Sequence, residues 1–276
     1  MPSLIPMNKR IPILLPIISQ ENGTGRIRNN QLSKVHEVLP CIRNPNVLFF
    51  MYHYIRDDDP LDTTITHNLS IPPSVFDAQM AIVERLAKNR NITLINGSDF
   101  LSALNSGCYP EKQIWIFTDD DGWRDAYENL MPIAANHRVP FFFGIIGNRV
   151  DTSGFVTSGE VRALGDNPLF TISSHSLTHD DESKMSVEKE HREMCESKKI
   201  LENITGKPVN SYIYPSGRMN ASGSTENLKS CGYSLAWTTS FGKDFDLKDP
   251  HFSEINRIRV GRDDGEAFFE KYIQRY

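Results

Sequence analysis

Between residues 47 and 260 the chain alternates short apolar runs with amphipathic patterns, and this alternation restricts the fold more than any other feature. Strand-like runs stand at 47–54, 114–118, 140–146, 169–173, 211–214, 234–239 and 255–260. Helical spacing fills 74–88, 125–137, 158–164, 186–203, 225–230 and 266–274. Phe76, Met80, Val83, Leu86 and Ala87 recur on one helical face, as do Ala126, Leu130 and Ile133. Gly206 and Pro208 stop the long helix that ends near Asn203. About seven strands separated by helices predict a parallel sheet, open or closed, because parallel neighbours need a crossover and a helix supplies it. The expected organisation is an irregular N-terminal extension over 1–45 and one α/β domain over 46–276.

With 276 residues, 39% of them hydrophobic, the chain can bury a large single core. A net charge of −5 with no basic run argues against a nucleic-acid surface. Cys41, Cys108, Cys195 and Cys231 are scattered without a CxxC pair, and they read as separate thiols rather than as disulfides or a thiolate zinc set. Lys9-Arg10 precede an apolar run at 11–18, which is too short to span a bilayer. It has the charge and length of a signal h-region, but prolines interrupt it and no A-x-A-like site follows; an apolar arm or strand fits equally. A Gly/Asn-rich stretch at 21–31 reads as a loop. Six Asn-x-Ser/Thr sequons, starting at Asn22, Asn68, Asn91, Asn96, Asn203 and Asn220, exceed the roughly three expected by chance.

Chemistry concentrates where strands end. The run at 114–118 stops in Asp119-Asp120-Asp121, and ionised neighbours leaving water cost several kcal/mol unless a cation compensates. The run at 169–173 leads into His175 and His179, four apart, so two imidazoles can converge on one ion. The run at 211–214 ends in Tyr214-Pro215-Ser216-Gly217, and His53 lies at the end of the first. In a parallel βα fold such ends gather on one face, where active sites form. Two histidines and a carboxylate with open positions suit zinc or a related divalent ion. Trp115 and Trp237, inside strands, are expected in the core.

In this order and spacing, Asp120-Asp121-Gly122, the His175-to-His179 HSLTH and the 214–217 YPSG resemble the polysaccharide deacetylases of the NodB-homology fold, the family-four carbohydrate esterases. The resemblance runs from about Asn46 to the C-terminus and is nearest to the branch that acts on poly-N-acetylglucosamine. It implies an irregular (β/α) barrel and a hydrolase that removes N-acetyl groups from a polysaccharide with a divalent metal, zinc foremost. It also implies Asp120 as general base, Asp121, His175 and His179 as metal ligands, and the Ser216 backbone N–H as an oxyanion donor. Arg257 is the nearest match for the arginine that orients the base, because Ile213 stands where many members carry it. His53, Trp123, Tyr214 and Pro215 are the substrate-contact candidates. The family's habit of acting on envelope or extracellular glycans implies export.

Three departures from the pattern stand out. Asp119 replaces the usual Phe, so it either faces water or shifts the register by one. The orienting Arg has moved. No C-terminal Leu-x-His supplies a general acid, and His251 is the sole histidine of that region. These departures leave a catalytically silent glycan-binding module as an alternative, with an O-acetyl esterase on the same site as another.

Overall fold

The computed structural model describes residues 41–220, 222–240 and 252–273. The run at 11–18, the loop at 21–31, the Asn22 sequon and His251 lie outside them. Among the described residues no helix is long and apolar enough to cross a membrane.

Among the described residues eight strands, all parallel, form one curled sheet. They are β1 (Asn46–Tyr52), β2 (Ile92–Leu94), β3 (Gln113–Asp119), β4 (Phe141–Ile145), β5 (Phe170–Ser174), β6 (Ser211–Ile213), β7 (Leu235–Trp237) and β8 (Ile258–Arg259). The order is β7-β6-β5-β4-β3-β1-β8. Strand β2 pairs only with the start of β3, at Gln113 to Trp115, and β4 takes over from Phe117. The crossovers are α1 (Thr64–Leu69), α2 (Pro73–Arg90), α3 (Gly97–Ser106), α4 (Met131–Asn136), α5 (Ser158–Asp166), α6 (Val187–Thr205) and α7 (Ser224–Ser230), and α8 (Glu266–Glu270) follows the last strand. The expected helix at 125–137 divides into a π turn, Ala126–Leu130, and α4, with Pro132 near the junction. A proline has no N–H to give to an i−4 carbonyl, so a change of hydrogen-bond register beside it costs little.

One segment joins the sheet's two edges. Ile255 bridges to Trp237 and exchanges hydrogen bonds with β7, at 3.0 Å to Ala236 O and 2.9 Å from Thr238 N. Three residues later Ile258 pairs with Phe50 of β1. This yields the irregular (β/α) barrel anticipated from sequence.

Strand alternation divides the core into two layers. Val47, Phe49, Ile114, Ile116, Phe142, Ile213 and Trp237 fill the barrel, joined by Phe100 and Ala103 of α3. Leu48, Phe50, Tyr52, Trp115, Phe117, Phe141 and Phe143 point outward under the helices. Both tryptophans expected in the core are fully buried there.

The cysteine expectation is corrected: Cys41 pairs with Cys108, and Cys195 with Cys231. Pairing of cysteines 67 and 36 residues apart depends on how the fold folds back, which spacing does not encode. The first bridge, with the Ile42–Tyr109 backbone pair, fastens chain ahead of residue 46 to the segment that enters β3. The second fastens α6 to the end of α7.

Asp119 does neither of the things its sequence suggested. Alternation puts it on the outer face with Trp115 and Phe117, where it is fully buried beneath the π turn. Neither carboxyl oxygen has a hydrogen-bond partner among the described residues. Burial, with Asp125 nearby, pushes its carboxyl well above the ordinary 3.8, so it is held neutral. Above pH 3.8 the unfolded chain ionises this group while the native chain keeps the proton, so the residue erodes stability as pH rises. Asp119→Leu is therefore expected to stabilise by about 1–3 kcal/mol at pH 7. The gain should shrink toward pH 4 and grow above neutrality, as urea denaturation at several pH values would measure.

Candidate active site

The same alternation that turns Asp119 outward turns Thr118 and Asp120 inward. Arg257, on the closing segment, meets them with its side chain wholly buried. Its guanidinium donates to Asp120 Oδ1 at 2.6 Å and Oδ2 at 2.7 Å, to Thr118 Oγ1 at 2.9 Å and to Thr238 O at 2.8 Å. Burial alone would raise the Asp120 carboxyl, but the charge and hydrogen bonds of Arg257 bring it below the ordinary value. Asp120 is thus an ionised carboxylate. His53 Nε2 stands 3.8 Å from its Oδ2, and burial lowers that imidazole's pKa.

Past β3 the chain leaves the strand conformation. Asp121 and Gly122 adopt φ of 75° and 73°, which swings Asp121 onto the rim. Asp121 Oδ1 lies 3.3 Å from Nε2 of both His175 and His179. Burial opposes ionisation of Asp121, and the two imidazoles more than offset it, leaving the carboxyl well below 3.8. His179 is shifted up: burial lowers it, but the hydrogen bond and charge of Asp121 prevail.

Each histidine is fixed from behind. His175 Nδ1 lies 2.8 Å from Ile213 O, and since a carbonyl only accepts, Nδ1 carries a proton while Nε2 faces Asp121. The loop between the histidines hangs on one carboxylate of α6. Glu193 Oε2 accepts from Leu177 N, Thr178 N and Thr178 Oγ1 at 3.1, 2.8 and 3.1 Å. Ser176 Oγ takes the His179 backbone N–H at 2.8 Å, and Ser176 and His179 both hold positive φ. Gly144 of β4 makes room for this packing, because a Cβ there would meet Ile213 Cδ1 at 2.7 Å.

In the third motif Ser216 is exposed, with φ 54° and ψ 16°, and its carbonyl accepts from Thr239 Oγ1 at 3.0 Å. A Cβ on Gly217 would fall 2.2 Å from Thr239 N, so only glycine allows this turn. Tyr214 and Pro215 are not surface residues. Tyr214 is fully buried on the helix side against Tyr212, and Pro215 is buried too, so their side chains serve packing. Trp123 lies half-buried on the rim, stacked on Phe155 with centroids 4.1 Å apart.

The structure therefore brings together Asp120, Asp121, His53, His175, His179 and Arg257. Sequence reasoning missed Glu193 and Asp125, which positions the loop after β1 by accepting the Ile55 N–H at 2.7 Å. An acid on an amphipathic helix carries no mark of such a role. A double-mutant cycle tests the buried pair. Arg257→Met alone should cost about 3–5 kcal/mol, since it strands a buried carboxylate. Adding Asp120→Leu should recover part of that loss in urea unfolding.

Known proteins share this fold. A family model for polysaccharide deacetylases matches residues 107–236. A Bacillus subtilis (strain 168) chain named as a polysaccharide deacetylase, YxkH, is 22% identical over 227 residues, covering 81% of this chain and 75% of that protein. The Streptococcus pyogenes deacetylase PplD, solved with acetate, superposes with a TM-score of 0.73 at 22% identity, covering 83% of this chain and 98% of PplD. A Bacillus cereus polysaccharide deacetylase superposes at 0.68 with 25% identity, covering 83% and 69%. With the motifs seated at the strand ends of the barrel, residues 107–236 match the polysaccharide deacetylases, and the chain is a hydrolase.

Proposed function

We propose that the protein removes N-acetyl groups from a polysaccharide containing N-acetylglucosamine, using a divalent cation, zinc foremost, held by Asp121, His175 and His179. The observation that carries this is the donor set. The three candidate ligand atoms lie within 4.8 Å of one another, and Nε2 of both histidines faces Asp121 Oδ1. Electron-rich atoms facing each other in a half-buried site fit a cation between them, and two imidazoles with one carboxylate suit zinc. When bound, such an ion supplies Lewis acidity, which brings the pKa of water to near 7 and polarises a carbonyl.

The chain's own groups account for the rest. Asp120, kept ionised and oriented by Arg257, takes a proton as the water oxygen bonds to the acetyl carbon. The Ser216 backbone N–H donates to the acetamide oxygen as charge builds on it. The C–N bond then breaks, acetate leaves, and the amine regains a proton from Asp120 or from neighbouring His53. The placement of Asp119 and Arg257 removes two of the three motives for a silent binding module. Two disulfides and a substrate too large to enter a cell support an oxidising, extracellular or envelope setting.

Purified protein should carry about one divalent ion per chain by elemental analysis, and chelation should abolish acetate release from N-acetylglucosamine oligomers. Asp121→Ala and His175→Ala should each lower metal content and turnover at least ~100-fold. Unchanged acetate release in either variant would defeat the assignment. O-acetylated oligomers assayed in parallel separate the esterase alternative. For Asp120→Asn, kcat should fall about 10²–10⁴-fold with metal content retained.

A further inference from the structure

We propose that Trp123 is a positioning residue for the cation site: its indole N–H holds one oxygen of Asp121, so that the other is presented to the two histidines. The inference rests on the cation reading above and assigns Trp123 a task separate from sugar contact.

A carboxylate has two equivalent oxygens, and a free one can exchange them by rotation. Here they are distinguished. Asp121 Oδ2 accepts from Trp123 Nε1 at 3.0 Å, while Oδ1 is the oxygen 3.3 Å from both imidazoles. Tryptophan is suited to this because the indole N–H only donates, and a donor to an ionised carboxylate makes a charge-assisted bond. Fixing a ligating carboxylate from its far side preorganises it, as partners behind metal ligands do in general.

The donor is itself held in place. The turn at Gly122 to Arg124 pairs with 154–156: Arg124 N donates to Gly154 O at 3.0 Å and Val156 N to Gly122 O at 3.1 Å. The indole lies between Phe155, 4.1 Å away and 23° from parallel, and Tyr54, 5.2 Å away and 33° from parallel. Arg56 lies over the Tyr54 ring at 4.7 Å, and Arg149 over the Phe155 ring at 5.6 Å. The aromatic row thus spans the loops after β1, β3 and β4, and its middle member points a proton at the ligand. A ring that only packed would have no use for the nitrogen.

The test uses the full chain, stripped of metal, with Zn²⁺ titrated against a competing chelator. Trp123→Phe keeps the stacked ring and removes the N–H; its Kd for Zn²⁺ should rise about 10–100-fold while the metal-free unfolding midpoint stays near wild type. Phe155→Leu keeps the donor but loosens its support, so its Kd should rise by a smaller factor; this variant decides the matter if Trp123→Phe fails to fold. Zn²⁺ affinity equal to wild type in the folded variants, with Asp121→Ala clearly weakened, overturns the role of Trp123 alone. Wild type that binds Zn²⁺ no better than Asp121→Ala overturns the cation reading and this proposal with it.

Discussion

The buried pair between Asp120 and Arg257 organises this barrel. Its partners stand 137 residues apart, one at the end of β3 and one on the segment that closes the ring. Neither charge is tolerable there alone, so the pair forms only when the two sheet edges have come together. The same guanidinium reaches Thr118 of β3 and the carbonyl of Thr238 just past β7. Closure of the fold and ionisation of the central carboxylate are thus one event.

Around that pair the site is built by a change of backbone conformation at each strand end. Three consecutive carboxylates would be untenable on one surface. The pleat sends Asp119 out and Asp120 in, and the left-handed turn at Asp121 sends the third along the rim. Each occupies a different environment: one neutral in an apolar layer, one matched to a guanidinium, one facing two imidazoles. Position within the sheet, rather than sequence distance, determines which is charged.

Much of this was legible beforehand. All seven expected strands occur, because runs such as Ile114 to Phe117 are buried on both faces and read as continuous apolar segments. The motif residues meet because parallel strands end on one face. What escaped notice has definite causes. The segment 92–106, holding β2 and α3, is short and polar at its surface, with burial at scattered positions such as Ile92, Ile95, Phe100 and Ala103. Outward placement of Asp119 was deducible from its spacing with Trp115 and Phe117, had the strand been extended by one residue. Disulfide partners, the burial of Tyr214 under the helices and the loop-holding role of Glu193 depend on contacts between distant segments, which no local pattern records.

Of the seven non-glycine residues with positive φ among those described, four are Asp121, Ser176, His179 and Ser216. Such conformations cost about 1 kcal/mol or more apiece for residues with a Cβ. Protein engineers usually relieve that cost by installing glycine, and here the remedy is closed at three positions. At Asp121 and His179 it would erase the carboxylate and the imidazole that face each other, and at Ser176 the hydroxyl that receives the His179 amide. Ser216, which contributes only main chain, is where thermal hardening and turnover need not compete.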